Sequence, residues 1–193
     1  QNLQAPVNKL ILVGVPNLGA PKAFKVLNYG DRLDVPLGFL NELKIKEISQ
    51  NMQAINQLLP SRKYINVAGS YVFDFRNNIG ALNYDQTKQF MLSGPEDNRR
   101  NQLLLDSVDI FHQDRDDWPG DSQKLYSING CRNMKTIGSF RIYDKGKVHI
   151  QTINGDGTVP FLSAASIPNF ARRYFVTGSD HLGMVKDSPP LTL

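Results

Sequence analysis

Cysteine is almost missing from this chain: Cys131 is the only one in 193 residues. A single thiol makes neither an intramolecular disulfide framework nor a zinc knuckle. It leaves the compartment open, since some secreted proteins also lack disulfides. Long apolar runs are missing as well, and none approaches the length of a membrane-spanning helix. Dense basic clusters are absent, so the net charge of +4, from 22 Lys and Arg against 18 Asp and Glu, is a mild bias. No patch of the kind that binds nucleic acid emerges from it. Internal repeats, low-complexity tracts and Gly/Ser linkers are also lacking. Residue 1 is Gln, with no initiator Met and no signal-peptide pattern before the first strand-like run.

The composition that remains is ordinary: 40% apolar and 21% charged, enough to bury the core of one domain. Lys9 to Pro16 is a short continuous apolar run, suited to a parallel strand buried on both faces. Pro21 then opens a short helix over Lys22 to Asn28. Ile45, Ile48, Met52, Ile55 and Leu59 recur three or four apart, which predicts one amphipathic helix from Leu43 to Leu59, stopped at Pro60. Tyr64 to Ala68 reads as a strand, residues 74 to 96 as irregular, and Glu96 to Gln113 as a helix. Leu125 to Asn129 reads as a strand. Ser139 to Tyr143 and Lys147 to Ile153 form a hairpin around Asp144-Lys145-Gly146. Tyr174 to Thr177 is a last short strand. Alternating strands and helices place the chain in the α/β class.

Three histidines are available for chemistry. His149 lies inside the hairpin, where its neighbours add nothing. His112 precedes Asp114, Asp116 and Asp117, but a calcium loop fails there, because Trp118 stands where an oxygen ligand belongs and the closing Glu is missing. A solvated acidic loop is the better reading. His181 differs, since it follows a predicted strand, and catalytic groups gather at the carboxyl ends of strands in open α/β sheets. Upstream, Asn154-Gly155-Asp156-Gly157-Thr158-Val159-Pro160 sets a carboxylate in a tight turn, also after a strand. A buried carboxylate bonded to one imidazole nitrogen fixes the tautomer and leaves the other nitrogen as a general base.

On these residues the sequence resembles the lecithin:cholesterol acyltransferase-like branch of the α/β hydrolases. Gly155-Asp156-Gly157-Thr158-Val159-Pro160 is similar to its acidic motif, and His181-Leu182-Gly183-Met184-Val185 to its histidine motif. Leu12-Val13-Gly14-Val15-Pro16-Asn17-Leu18-Gly19-Ala20-Pro21 resembles the strand and turn that follow the nucleophile elbow. Gln57-Leu58-Leu59-Pro60-Ser61 and Ile128-Asn129-Gly130 are weaker landmarks, so the likeness runs from about residue 9 to 186. The order Asp156 then His181 matches the last two members of a Ser, Asp, His triad. No Gly-x-Ser-x-Gly occurs, however, and Gly69-Ser70, Gly138-Ser139 and Gly178-Ser179 all lack its frame.

The resemblance implies the C-terminal portion of an α/β-hydrolase sheet across residues 1–193, with the N-terminal half not in this chain. Residues 71–121 would be a cap or lid insertion. Tyr71, Val72, Phe73 and Phe75, with Leu103 to Leu105, are candidates for an acyl pocket, although ordinary packing explains them more simply. The implied activity is serine-dependent ester hydrolysis or acyl transfer, with an acyl ester or lipid as substrate. Asp156 and His181 would serve a Ser and oxyanion hole on a separate segment that pairs along Lys9 to Val15. This chain alone would then be inactive. No cofactor or metal is expected. The residues also admit two other readings: a binding or assembly subunit that kept the two loops, and a nucleotide site at Gly14 to Gly19. The second lacks the Gly-x-Gly-x-x-Gly spacing and puts Pro16 in the turn.

Overall fold

One long strand organises the chain. In the computed structural model, which describes residues 8–31, 41–93, 101–113, 115–117, 124–167 and 172–186, β4 runs from Leu125 to Ile142. Its first half pairs in parallel with β1 (Leu10–Val13) on one side and β6 (Arg172–Thr177) on the other. Its second half pairs in parallel with β2 (Val72–Asp74) and antiparallel with β5 (Val148–Gly155). β3 (Gly80–Ala81) extends the sheet from β2. The fold is α/β with a mostly parallel sheet, as the alternation of elements implied. The hairpin forms as expected, with Ile142 opposite Val148 and both Lys145 and Gly146 at positive φ.

The first strand forms where the apolar run predicts it, but it is not buried on both faces. Only β4 pairs with it among the described residues, and Leu10 and Ile11 are exposed. An edge strand with one neighbour keeps one row of backbone groups and half its side-chain surroundings open.

Helix α1 (Pro21–Tyr29) starts at Pro21, whose missing N–H costs nothing in a first turn, and packs Phe24 and Leu27 against β4. Phe24 meets Phe140 with ring centroids 4.8 Å apart, and Tyr64, Tyr71, Val72 and Ile142 belong to the same core. Burying each such side chain contributes about 1.5–3 kcal/mol. The Tyr64 hydroxyl is pushed up to about 12 by burial alone.

The expected helix from Leu43 to Leu59 is instead two, α2 (Glu42–Ser49) and α3 (Gln53–Gln57). The break falls at Gln50 to Met52, beside polar side chains that bond to the backbone: Ser49 Oγ donates to the Lys46 carbonyl at 3.1 Å, and Asn51 Nδ2 to that of Glu47 at 3.3 Å. Such bonds compete with helix propagation. The expected strand at Tyr64 to Ala68 is helix α4 (Arg62–Ala68). Ser61 decides it, because its Oγ accepts the Tyr64 N–H at 3.1 Å and caps the helix, a device that contributes about 1 kcal/mol.

Residues 74 to 96 are not irregular over their described part. Asn83 and Gln86 form a reciprocal capping box that starts α5 (Tyr84–Leu92). Helix α6 (Gln102–Gln113) occupies the described part of the span expected from Glu96. Residues 94–100, together with Asp114 and Trp118-Pro119-Gly120, lie outside the described residues. Two short helices, α7 (Phe161–Ala164) and α8 (Gly183–Lys186), close the chain around the strand ends.

Candidate active site

Three strand ends meet near the middle of β4. The end of β1 arrives at Gly14, whose N–H donates to the Ile128 carbonyl at 2.9 Å. β5 ends with Gly155 opposite Arg132, and β6 with Thr177 opposite Cys131. The loops that leave β5 and β6 carry Asp156 and His181. β5 runs against β4 and β6 runs with it, yet both deliver their loops to the same place.

Asp156 is 1% exposed. Its Oδ1 accepts the backbone N–H groups of Thr158 at 2.8 Å and Val159 at 2.6 Å. The Gly157 N–H of the same turn donates to the Oγ1 of fully buried Thr136, at 2.7 Å. These bonds hold the carboxylate in one orientation and leave Oδ2 for His181, whose Nδ1 donates to it at 2.7 Å. Among the described residues the other ring nitrogen, Nε2, has no hydrogen-bond partner. His181 is partly exposed and lines an open cleft of about 660 Å³ with Gly157, Thr158, Leu182, Arg132, Lys135 and Lys186. Neutral imidazole held in this way presents a lone pair at Nε2, the arrangement of a general base.

Glycine is required where the sheet touches this pair. Gly14 has a φ of +57°, and a Cβ there would stand 2.9 Å from Asp156 Oδ2 and 3.1 Å from His181 Nδ1. A Cβ on Gly130 would stand 2.5 Å from that of Asp156. Met184, 3% exposed, lies against both glycines. The turn after Gly14 is pinned in turn by Ser163 on α7, which accepts the Leu18 N–H at 3.1 Å and donates to the Gly19 carbonyl at 2.6 Å.

Asp156 and His181, singled out in the sequence, are therefore brought together. His149 lies on β5 beside Tyr143 and takes no part. The environment of His112 is not the solvated loop expected. His112 is buried, with its Nδ1 2.8 Å from Asp116 Oδ1 and its Nε2 3.1 Å from the Gln57 carbonyl oxygen. Helix α6 places the imidazole inward against α3, and Asp116 follows it into the interior, while Asp117 stays in solvent. Tyr71 and Val72 pack in the core, and Leu103 points outward at 79% exposure. Sequence reading passed over Thr136, Gly130 and Met184. Gly130 and Met184 stood inside quoted motifs, whereas Thr136 is twenty residues from Asp156 and carries no local signal.

The family model described as lecithin:cholesterol acyltransferase matches residues 2–118. No curated protein matches the chain. Among solved structures, a chain of the Tle4–Tli4 complex is similar, with a TM-score of 0.61 and 15% identity; the alignment covers 90% of this chain and 50% of that one. At that identity the likeness concerns the fold. This chain spans about half the length of that neighbour.

Proposed function

The chain belongs to the lecithin:cholesterol acyltransferase family, and from that premise we propose that it carries the base half of a serine-dependent ester hydrolase or acyltransferase. The observation that carries the reading is the His181–Asp156 hydrogen bond of 2.7 Å, with the carboxylate buried and Nε2 unpartnered among the described residues. In this mechanism His181 Nε2 takes the proton of a serine hydroxyl as that oxygen attacks an acyl ester carbonyl. Asp156 holds the tautomer and stabilises the imidazolium. The tetrahedral intermediate collapses as His181 returns the proton to the leaving alcohol, giving an acyl-enzyme. Water or a second alcohol, deprotonated by the same nitrogen, then attacks the acyl carbonyl, and the bond to the serine oxygen breaks as His181 returns the proton to it.

The nucleophile and the oxyanion-hole amides lie outside these 193 residues, since no Gly-x-Ser-x-Gly occurs in them. The free side of β1 is the place for the strand that brings them. Its backbone edge is unpaired among the described residues, Leu10 and Ile11 are exposed, and its last residue adjoins Gly14 and the His181–Asp156 pair. We read the segment around α5 and α6 as part of a cap over the acyl chain. On this reading residues 1–193 alone are inactive.

Fluorophosphonate labelling of the protein at its natural full length tests the proposal. The expected result is one labelled serine, within a Gly-x-Ser-x-Gly outside these residues, and no label on residues 1–193 made alone. Full-length protein that takes up no label would favour a binding or assembly subunit.

A further inference from the structure

The cleft in front of His181 is unevenly charged. Arg132, Lys135 and Lys186 line it, against Asp180 as the one carboxylate among the described residues not engaged with the imidazole. Asp156 is buried and committed to His181. Asp180 caps the turn into α8, where its Oδ1 accepts the Gly183 N–H at 2.7 Å, and its Oδ2 stands 4.0 Å from Arg132 Nη1. Neither Lys135 nor Lys186 has an ion pair among the described residues, and both are exposed.

The backbone of β4 is shaped to put two of these cations there. Between the Arg132–Gly155 and Thr136–Ile153 pairs, β4 contributes Asn133, Met134 and Lys135 where β5 contributes only Asn154. This bulge takes Met134 to a φ of +49°, an unusual conformation for a side chain of that kind. Bulges re-aim side chains beside active sites. Here the bulge brings Arg132 and Lys135 to the cleft from the sheet, while Lys186 comes to it from α8. The strand spends a strained residue on placing positive charge next to a histidine.

Resting on the ester chemistry proposed above, we infer that Arg132, Lys135 and Lys186 form an anion subsite, which selects acyl esters bearing a phosphate or carboxylate with net negative charge near the reacting carbonyl. An oxyanion at this mouth meets two ammonium groups and a guanidinium, while the acyl ester reaches His181 deeper in the cleft. A neutral or zwitterionic ester lacks that net attraction. The preference is electrostatic and weakens with added salt.

Binding without turnover tests this separately from catalysis. Titration calorimetry on the full-length protein would compare non-hydrolysable, monomeric dihexyl ether analogues of phosphatidylglycerol and phosphatidylcholine with inorganic phosphate. The expected result is about tenfold tighter binding of the phosphatidylglycerol than of the phosphatidylcholine, lost in the Arg132→Ala/Lys135→Ala/Lys186→Ala variant. Lys186→Ala alone should lose part of it, and Lys44→Ala, a distant exposed control, none. Competition by inorganic phosphate would assign the preference to the anion itself. Lack of competition would assign it to an anion joined to alkyl chains, and both support the subsite. Equal binding of the two lipids, or a preference unchanged in the triple variant, would overturn it. A protein that prefers the anionic lipid but hydrolyses nothing would retract the catalytic reading alone. One that hydrolyses and binds both lipids equally would retract only this inference.

Discussion

Two histidine–aspartate pairs of nearly equal length occur among the described residues, and they differ in what the second ring nitrogen meets. In His181–Asp156 the Nδ1–Oδ2 distance is 2.7 Å, and in His112–Asp116 the Nδ1–Oδ1 distance is 2.8 Å. His112 spends Nε2 on the Gln57 carbonyl, so both ring nitrogens face acceptor oxygens and the ring ties α6 to the end of α3. His181 keeps Nε2 open to a cleft. A short imidazole–carboxylate bond therefore does not identify a base. What the second nitrogen meets decides between a strut and a reagent.

The comparison is broken most severely at the carboxylate. Asp156→Asn keeps the shape but presents an amide where the tautomer is set, and should lower kcat for a short-chain ester by about 10⁴-fold with little change in KM. Steady-state kinetics on the full-length protein checks this. An effect under tenfold would mean that Asp156 does not orient His181 for chemistry. Next in size is Gly14→Ala. Its Cβ would enter the space of Met184, Asp156 and His181 at a φ of +57°. An activity loss of about 100-fold follows from displacing a base by a fraction of its reach, together with about 1–2 kcal/mol of stability from the left-handed backbone. Kinetics and urea denaturation read the two effects separately.

The smallest effect on activity, and the sharpest contrast, belongs to His112→Phe. It removes both hydrogen bonds from a buried ring and leaves the Asp116 carboxylate uncompensated, at a cost of about 2 kcal/mol in stability. Turnover should stay within about twofold of wild type once the folded fraction is accounted for. Thermal unfolding and kinetics measured on one sample decide it. Loss of activity without loss of stability would reverse the roles assigned to the two pairs.

Much of this was legible in the sequence where local chemistry and tertiary context agree. The apolar run before Gly14, the Asp144-Lys145-Gly146 hairpin and the turns holding Asp156 and His181 each carry their own signal. The misreadings came where a single polar side chain overrode periodicity. Ser61 caps a helix through residues whose apolar alternation reads as a strand. Asn83 and Gln86 start a helix inside a stretch whose Asn and Gly content reads as irregular. Ser49 to Asn51 interrupts a helix whose apolar spacing continues across the break. His112 was misread for another reason: the acidic residues after it look solvated in one dimension, and only the packing of α6 on α3 turns Asp116 inward. The cationic mouth of the cleft left no trace in the sequence, because a bulge and a separate helix assemble it from residues up to 54 positions apart.

In the proposed mechanism His181, and not His112, activates a serine supplied from outside these residues. The most direct measurement is the rate of fluorophosphonate labelling of the full-length protein in wild type, His181→Ala and His112→Phe, with the labelled residue mapped by mass spectrometry. Fast labelling of one serine is expected in the wild type and in His112→Phe. In His181→Ala the rate should fall by about 10³-fold or more. Equal labelling of that serine in wild type and His181→Ala would contradict this mechanism.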